Sequence, residues 1–259
     1  MKRLNLIVVV FALLAIACES SAQEIIAHRG NHSVKGVVEN SIAALRAAEE
    51  AGLGAVECDV NMTSDGELVV IHGPWHGKKE DPDRLNIQRT DLATLRSKLL
   101  DNGEPVPTLD EYLDVVAAET SVKLFIDIKD HATPQIETEV VRKVLAAVKH
   151  HKLQSRVVYI SARQHVCNEF VRLTPAGTAI MYLGSNLTPE YVKGMGYTGI
   201  SYSVDALKRL PRWIDEARKL DLEVSIWTVN CAEEAAWAVK HGVDYITTDK
   251  PTVVERALP

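Results

Sequence analysis

The sequence predicts an α/β fold, a (β/α)8 TIM barrel with a small insertion after the second strand. Three observations lead to this prediction. Short β-branched or apolar runs alternate with amphipathic runs along the chain, a pattern typical of parallel strands joined by crossover helices. The length of 259 residues suits one barrel of about 250 residues. The first strand is not followed by the glycine-rich phosphate loop that an open dinucleotide-binding sheet would require.

Nine short runs rich in β-branched and apolar residues are predicted to be strands. They are residues 24–28, 55–60, 67–72, 122–128, 157–160, 178–182, 199–202, 224–229 and 245–247. The third run would pair back on the second as a hairpin, which leaves eight strands for the barrel. Amphipathic runs of helical composition lie between them, including residues 41–51, 109–119, 136–150, 206–220 and 232–241.

A long polar segment at about residues 73–107 interrupts the alternation. Its charged side chains include Lys78, Lys79, Glu80, Asp81, Asp83 and Arg84. We expect a loop or small cap above the barrel mouth, with these cations on a solvated face or, in the alternative, against a second anionic group of a ligand. Neither a linker nor an internal repeat indicates a second full domain, so residues 23–259 are predicted to form one barrel domain.

Residues 1–22 have the character of a signal peptide. Lys2 and Arg3 precede an apolar run of 13 residues, which is too short for a membrane span of about 20 residues. Small residues before Gln23 indicate a cleavage site. In the alternative, Cys18 ends a loose lipoprotein box and would carry a lipid anchor. The chain is therefore predicted to be exported, either to the periplasm or as a secreted protein, with no membrane span.

The charge and the cysteines narrow the function classes. A formal net charge of −6 argues against a nucleic-acid partner and against a polybasic membrane binder, so a bound anion must be held locally. Beyond the signal, Cys58, Cys167 and Cys231 form an odd set without CxxC spacing. We interpret them as small core residues, with no disulfide framework and no thiolate metal site.

Polar side chains stand at the ends of the first two predicted strands, where the active site of a barrel is built. His28 and Arg29 place a potential general base beside a permanent cation, although a structural histidine explains this pair alone equally well. Glu57 and Asp59 share one strand face and Cys58 points to the other. Adjacent carboxylates repel unless they share a cation, so a metal site is favoured, and oxygen ligands favour Mg2+ or Ca2+ over Zn2+.

Two further strand ends extend the pattern. His72 ends the third run, and Asp127 and Lys129 share a face of the fourth. Asp127 could complete a three-carboxylate site and Lys129 could meet an anion bound to the metal; taken alone, a surface salt bridge explains this pair equally well. Histidines, carboxylates and cations on one rim suit a phosphate ester, because the cations hold the anion and the histidines share the proton transfers.

These residues carry a resemblance to a known family. The run IIAHRGNHSVKGVVENSIAALRAAEEAGLGAVECDVNMTSDGELVVIHG resembles the opening of the glycerophosphodiester phosphodiesterase family, with its His-Arg-Gly, Glu-Asn-Thr, Glu-x-Asp, Thr-x-Asp-Gly and His-Asp motifs in order. The later stretches VPTLDEYL, LFIDIKD, EVSIWTVN and GVDYITTDKP are similar to the family's second helix and its third, seventh and eighth strands. The resemblance implies a barrel that hydrolyses glycerophosphodiesters, which are small molecules, to an alcohol and glycerol 3-phosphate with one divalent cation.

The resemblance also implies roles for individual residues. These are the catalytic acid and base His28 and His72, the metal ligands Glu57, Asp59 and Asp127, the phosphate-binding Arg29 and Lys129, and an apolar substrate wall at Trp227. For Trp227, ordinary barrel packing is an equal alternative. Asn40 or Ser41 is expected to cap the following helix rather than to touch substrate.

Three motifs depart from the family pattern. His72-Gly73 replaces its His-Asp, Asp127 replaces its third-strand Glu, and residues 38–41 read Val-Glu-Asn-Ser instead of Pro-Glu-Asn-Thr. The first two are also similar to the sphingomyelinase D group of phospholipases, so a phospholipase D-like enzyme on lysophospholipids stays an alternative. An exported binding module without turnover is a second one. The charged insertion favours a water-soluble diester.

Overall fold

The structure is a computed structural model that describes residues 23–258. The predicted signal peptide and its candidate lipid site, Cys18, lie outside the described residues. The strands of the described part are β1 (Glu24–Ala27), β2 (Ala55–Met62), β3 (Leu68–Val70), β4 (Trp75–His76), β5 (Leu85–Asn86), β6 (Lys123–Ile128), β7 (Val157–Ser161), β8 (Ile180–Tyr182), β9 (Gly199–Ser203), β10 (Glu223–Trp227) and β11 (Tyr245–Thr248). Its α-helices are α1 (Ile42–Glu50), α2 (Leu92–Ser97), α3 (Leu109–Glu119), α4 (Pro134–His150), α5 (Gln164–Leu173), α6 (Pro189–Gly194), α7 (Val204–Arg209), α8 (Arg212–Lys219), α9 (Ala232–His241) and α10 (Pro251–Glu255).

Eight strands close a parallel barrel, as the sequence pattern predicts. Their order around the ring is β1, β11, β10, β9, β8, β7, β6 and β2, and pairing of β1 with β2 closes it. The short β3 pairs antiparallel with β2 and forms the expected hairpin outside the ring. The register of β2 and β6 sets Asp59 directly beside Asp127, so the parallel pairing brings two predicted metal ligands together.

Local sequence signals explain where the helices begin. Ser41 caps α1, because its hydroxyl accepts a hydrogen bond from the backbone N–H of Ala44. Thr108 caps α3 in a capping box. The predicted single helix at residues 206–220 is wrong: the chain forms α7 and α8 instead, and Pro211 stands between them. Proline has no N–H to donate and clashes with the preceding helical turn, so it ends one helix and begins the next.

The barrel interior changes from apolar at its floor to polar at its mouth. One apolar cluster lies inside the ring and contains Ile26, Ala55, Phe125, Val158, Ile160, Met181 and Tyr245. The two-residue period of a strand puts Ala55, Glu57 and Asp59 on the same face of β2, whereas Cys58 belongs to the larger core between the strands and the helices. The apolar floor therefore supports the carboxylates from below.

The insertion after β3 is a small folded unit. It contains the β4–β5 hairpin, a 3-10 helix at Ile87–Arg89 and α2. A separate apolar cluster of Val69, Ile71, Ile87, Leu95 and Val106 packs it against β3. Glu104 ties the insertion to the barrel, because its carboxylate accepts a hydrogen bond of 3.1 Å from the backbone N–H of Ile42, the first residue of α1.

The prediction of buried cysteines is confirmed for two of the three residues. Cys58, Cys167 and Cys231 are all free thiols, and Cys58 and Cys167 are buried as expected. Cys231 is exposed rather than a core residue, because it lies at the N-terminal end of α9, outside the packed layers. Within residues 23–258, we find no helix with the length and apolar character needed to cross a membrane.

Candidate active site

A pocket of about 220 Å³ opens at the barrel mouth, at the carboxyl ends of the strands. All eight residues that the sequence singles out line it, namely His28, Arg29, Glu57, Asp59, His72, Asp127, Lys129 and Trp227. They come from the ends of four different strands and from the hairpin after β2. The fold therefore brings together residues that are separated by up to two hundred positions in the chain.

Three buried carboxylates lie at the centre of this pocket. Glu57, Asp59 and Asp127 each offer an oxygen within 4.8 Å of the others. Burial, with repulsion from Asp59 and Asp127, raises the pKa of Glu57 well above its usual range. Burial also raises the pKa of Asp127 to about 6, although Lys129 opposes the rise. Buried oxygen ligands that repel one another fit a divalent cation.

Lys129 compensates part of the negative charge. Its Nζ lies 2.8 Å from Asp127 Oδ2 and 3.1 Å from Asp59 Oδ1. Burial lowers the pKa of Lys129, but Asp127 and Asp59 outweigh that effect and raise it, so the ammonium stays charged. Burial raises the pKa of Asp59, but Lys129 and Arg29 outweigh it and lower that pKa. The ion pairs therefore keep Asp59 ionised.

Arg29 shares Asp59 with Lys129 and also contacts two other carboxylates. Its backbone N–H donates to Glu57 Oε2 at 2.9 Å, and its Nη1 donates to Glu39 Oε2 at 2.8 Å. Its Nε lies 3.1 Å from Asp59 Oδ2 but makes no hydrogen bond within the described residues, although it is buried. A buried donor without an acceptor is costly, and an oxygen of a bound anion would satisfy it.

His28 is held by an aspartate that the sequence analysis missed. Its Nδ1 lies 2.6 Å from Asp249 Oδ1. Asn230 donates to the second carboxylate oxygen of Asp249 at 2.7 Å. Hydrogen bonds from His28 and His32 lower the pKa of Asp249, so this carboxylate is ionised. The nitrogen Nε2 of His28 is left to face the pocket, where it lies 3.9 Å from Glu57 Oε2.

The stretch GVDYITTDKP contains Asp249, so a signal for this residue was present. It follows β11, which neighbours β1 in the ring. Polar residues at the end of the eighth barrel strand meet those at the end of the first. Asp249 could have been selected by the same strand-end rule that selects His28.

His72 reaches the pocket from the hairpin rather than from the ring. It follows β3 and is half-buried, and burial lowers its pKa. The next residue is Gly73, where a Cβ would lie 2.9 Å from Asn61 Nδ2. Asn61 is fully buried and donates to the backbone oxygen of Ile71. The family's aspartate therefore has no space at position 73 unless Asn61 moves.

Of the two residues expected to cap α1, one caps the helix and the other contacts a carboxylate. Ser41 caps α1, as predicted for one of the two residues. Asn40 does not cap it: the side chain of Asn40 donates to Asp59 Oδ2 at 2.8 Å and accepts from the backbone N–H of Asp59 at 3.1 Å. Asn40 has a φ of +59°, which asparagine tolerates better than most residues. It therefore orients a predicted metal ligand.

An apolar wall faces the carboxylates across the pocket. Ile160, Leu183 and Trp227 line it, and the indole Nε1 of Trp227 donates to the backbone oxygen of Ser201 at 2.8 Å. This hydrogen bond orients the ring against the neighbouring strand. The cations Lys78, Lys79 and Arg84 of the insertion do not line this pocket.

The comparisons with known proteins agree on one family. The sequence model described as "Glycerophosphoryl diester phosphodiesterase family" matches residues 28–253. A glycerophosphodiester phosphodiesterase of Caldanaerobacter subterraneus subsp. tengcongensis is 28% identical, over 88% of this chain and 94% of that protein. A crystal structure of a glycerophosphodiester phosphodiesterase from Parabacteroides distasonis is similar, with a TM-score of 0.86 and 33% identity, over 91% of this chain and 96% of that chain.

A more distant structure shares the fold. An Oleispira antarctica phosphodiesterase, solved in complex with the product sn-glycerol-3-phosphate, has a TM-score of 0.78 at 21% identity. The alignment covers 92% of this chain and 97% of that chain.

Proposed function

Because the chain belongs to the glycerophosphoryl diester phosphodiesterase family, we propose that it hydrolyses glycerophosphodiesters to an alcohol and glycerol 3-phosphate in a metal-dependent reaction. One observation carries the proposal: two histidines, three buried carboxylates and two cations line a single pocket of about 220 Å³. The matched relatives are glycerophosphodiester phosphodiesterases, which supports the same reaction.

The carboxylate cluster is the part of the pocket that would hold the metal. Glu57, Asp59 and Asp127 provide hard oxygen ligands within reach of one another, as Mg2+ and Ca2+ prefer. When bound, the cation supplies positive charge to a phosphate oxygen. We propose that it is Mg2+ or Ca2+. Asn40 keeps Asp59 oriented for this role through its two hydrogen bonds.

Arg29 and Lys129 would bind the phosphate of the substrate. Both are held beside the carboxylates by ion pairs, so their positive charge is already in place before the substrate enters. The free Nε–H of Arg29 offers one directional hydrogen bond. Charge that grows on the phosphate oxygens in the transition state is then stabilised by cations that need little reorganisation.

His28 and His72 would carry the two proton transfers. One deprotonates the attacking nucleophile and the other protonates the alcohol that leaves. Asp249 accepts a hydrogen bond from Nδ1–H of His28, which leaves Nε2 to act in the pocket. A carboxylate in this position selects the tautomer and stabilises the imidazolium during the reaction.

The test is alcohol release from a panel of glycerophosphodiesters and lysophospholipids with Mg2+, Ca2+ or a chelator. We expect release from the water-soluble diesters with one of the metals and loss of release with the chelator. Release from lysophospholipids alone would overturn the substrate proposal in favour of a phospholipase D-like enzyme. Binding of the diesters without release from any of them would show a binding module.

We further propose that the protein is exported. The support is the cationic start and apolar run of residues 1–22. Fractionation of cells that express the full chain, followed by mass spectrometry of the mature N-terminus, tests it. A mature chain that begins at Gln23 supports signal cleavage, and a lipidated chain that begins at Cys18 supports the anchor.

A further inference from the structure

Two residues of the site lie just beyond the ends of their strands. His72 follows the hairpin strand β3, and Lys129 follows β6. Neither residue belongs to a regular strand or helix. Their positions relative to each other therefore depend on contacts made by the chain segments next to them.

Asn61 of β2 fixes the peptide bond that leads into His72. The side chain of Asn61 is fully buried, and its Nδ2 donates to the backbone oxygen of Ile71 at 2.9 Å. The backbone N–H of Ile71 donates to the backbone oxygen of Asp59 at 2.9 Å. Both backbone polar groups of Ile71 are thus bound to β2.

The turn after β6 is tied to β2 on both sides of Lys129. The backbone N–H of Lys129 donates to the backbone oxygen of Val60 at 3.1 Å. The ring of His131 accepts from the backbone N–H of Met62 through Nε2 at 3.2 Å. Its Nδ1 lies 2.8 Å from the backbone oxygen of Lys129. The imidazole therefore bridges β2 and the turn.

Gln88 of the insertion joins these two segments. Its Nε2 donates to the side-chain oxygen of Asn61 at 3.1 Å and to the backbone oxygen of Asp130 at 2.7 Å. A side-chain amide has two N–H groups, so each of these hydrogen bonds uses one. The backbone oxygens of Ile71 and Asp130 can only accept, which fixes the orientation of both amides.

The 3-10 helix that carries Gln88 is held in place by other contacts. Ile87 is fully buried in the apolar cluster of the insertion, and its backbone N–H donates to the backbone oxygen of Pro74 at 3.0 Å. At the end of the helix, the hydroxyl of Thr90 donates to the backbone oxygen of Asn86 at 2.7 Å. A firmly packed element therefore presents the Gln88 amide to the site.

We propose that Gln88 is a positioning residue that sets His72 and Lys129 relative to each other. It does not line the active-site pocket and acts through Asn61 and Asp130. The inference rests on the proposed function, because it takes His72 as a proton-transfer group and Lys129 as a phosphate-binding group. A displacement of about 1 Å in such groups can cost about 100-fold in rate.

The kinetic experiment uses Gln88→Met, which keeps the length of the side chain and removes both donors. We expect kcat to fall about tenfold, with a smaller change in KM, because alignment matters most in the transition state. Thr90→Val is the matched control. It removes one hydrogen bond at the end of the same helix and should lower the melting temperature by a similar amount without lowering kcat.

Gln88→Glu is a second variant of the same shape. Its carboxylate cannot donate and faces two oxygens that only accept, so it should lose at least as much activity as Gln88→Met. It keeps the test decisive if the methionine variant does not fold.

NMR of the substrate-free protein provides a readout that does not depend on turnover. The ring signal of His72, assigned by its absence in His72→Ala, and the backbone amide signal of Lys129 should both shift in Gln88→Met. Both signals should stay in place in Thr90→Val.

Three outcomes would overturn the inference: an unchanged kcat in the folded Gln88 variants, an equal loss of kcat in Thr90→Val, or unchanged signals of His72 and Lys129 in Gln88→Met. A wild type that releases no alcohol from any diester would refute the proposed function. In that case, signals that shift in Gln88→Met but not in Thr90→Val would still support the positioning of both segments by Gln88.

Discussion

The two histidines of the site reach the same pocket but are held in different ways. His28 follows a barrel strand, and its Nδ1 lies 2.6 Å from Asp249, 221 positions away in the sequence. His72 follows the hairpin strand outside the ring and stands at the edge of the insertion. No carboxylate follows it, because Asn61 fills the space beside Gly73. His28 thus shares the carboxylate of Asp249 with His32, whereas the position of His72 is set by packing.

Because of this difference, the two histidines depend on different parts of the fold. A carboxylate behind an imidazole selects its tautomer and stabilises its protonated form, so His28 depends on the closure of the barrel that brings β11 next to β1. Burial lowers the pKa of His72. The outer cavity that His72 lines is formed by the insertion and by residues 38–40 of the loop before α1. His72 should therefore respond to changes in the insertion, and His28 to changes at Asp249.

The largest effect is expected from removing either histidine. His28→Ala and His72→Ala should each lower kcat by about 100- to 10,000-fold, the usual worth of a general acid or base. Steady-state assays with the best diester, in buffer saturated with metal, measure the loss. Circular dichroism checks that each variant keeps the fold. Full activity of His72→Ala would show that the two histidines do not share the proton transfers.

The next effect separates the two histidines directly. Asp249→Asn should lower kcat by about 10- to 1,000-fold, since His28 loses the anion that orients it. Asn230→Ala removes the hydrogen bond to the far oxygen of Asp249 and the two that the Asn230 amide oxygen accepts from the Asp249 backbone N–H and the Thr248 hydroxyl. It leaves the carboxylate of Asp249 beside His28 and should cost less. Combining Asp249→Asn with His28→Ala tests the route: the double variant should be no slower than His28→Ala alone. Additive losses would mean that Asp249 acts independently of His28.

Most residues of the site could be predicted from the sequence. Strand-end positions in a barrel converge, so His28, Glu57, Asp59 and Asp127 could be grouped without coordinates. Asp249 was missed although it directly follows β11, because the strand-end rule was not applied to the last strand of the barrel. The cap predicted for Asn40 or Ser41 is Ser41. The contact of Asn40 with Asp59 was not predicted, because a left-handed residue that points back at Asp59 has no signature beyond its residue type.

The fold could be predicted to a similar depth. The eight parallel strands and the hairpin follow from the alternation of apolar and amphipathic runs. The break at Pro211 was missed because the amphipathic pattern continues across it, although a proline at that point favours two helices over one. The contents of the insertion were not predicted, since its two-residue strands are too short for a periodic signal.

A third test concerns the three buried carboxylates of the pocket, Glu57, Asp59 and Asp127. Asp127 has a pKa raised to about 6, so below that pH it carries a proton that must leave before a cation binds. Metal affinity should therefore fall by up to about tenfold per pH unit for this proton as the pH drops below about 6. Protonation of Glu57, whose pKa is also raised, adds to the fall. Calorimetric titration of the substrate-free protein with Mg2+ or Ca2+ at several pH values measures it.

Asp127→Asn provides the control for this test. An amide does not titrate, so the variant should bind metal more weakly but with a smaller dependence on pH. Asp59 has a lowered pKa and stays ionised across the same interval, so it should not contribute to the slope. An unchanged slope in Asp127→Asn would assign the proton to another group, such as Glu57, whose pKa is also raised.

The last test concerns Gly73, the residue that follows His72. Substitution there is expected to change the stability of the protein more than its turnover. Gly73→Ala would bring a Cβ to 2.9 Å from Asn61 Nδ2, and such overpacking costs about 1–3 kcal/mol of unfolding free energy. Chemical denaturation measures the cost. Asn61→Ala removes the obstacle, but it also removes the hydrogen bond to Ile71 and the one from Gln88, so it should destabilise the protein by a similar amount. The double variant should be more stable than the sum of the two single changes predicts, because the clash is absent. Additive changes would show that crowding by Asn61 does not keep a side chain out of position 73. An aspartate after His72, as in the family motif, would then fit at that position.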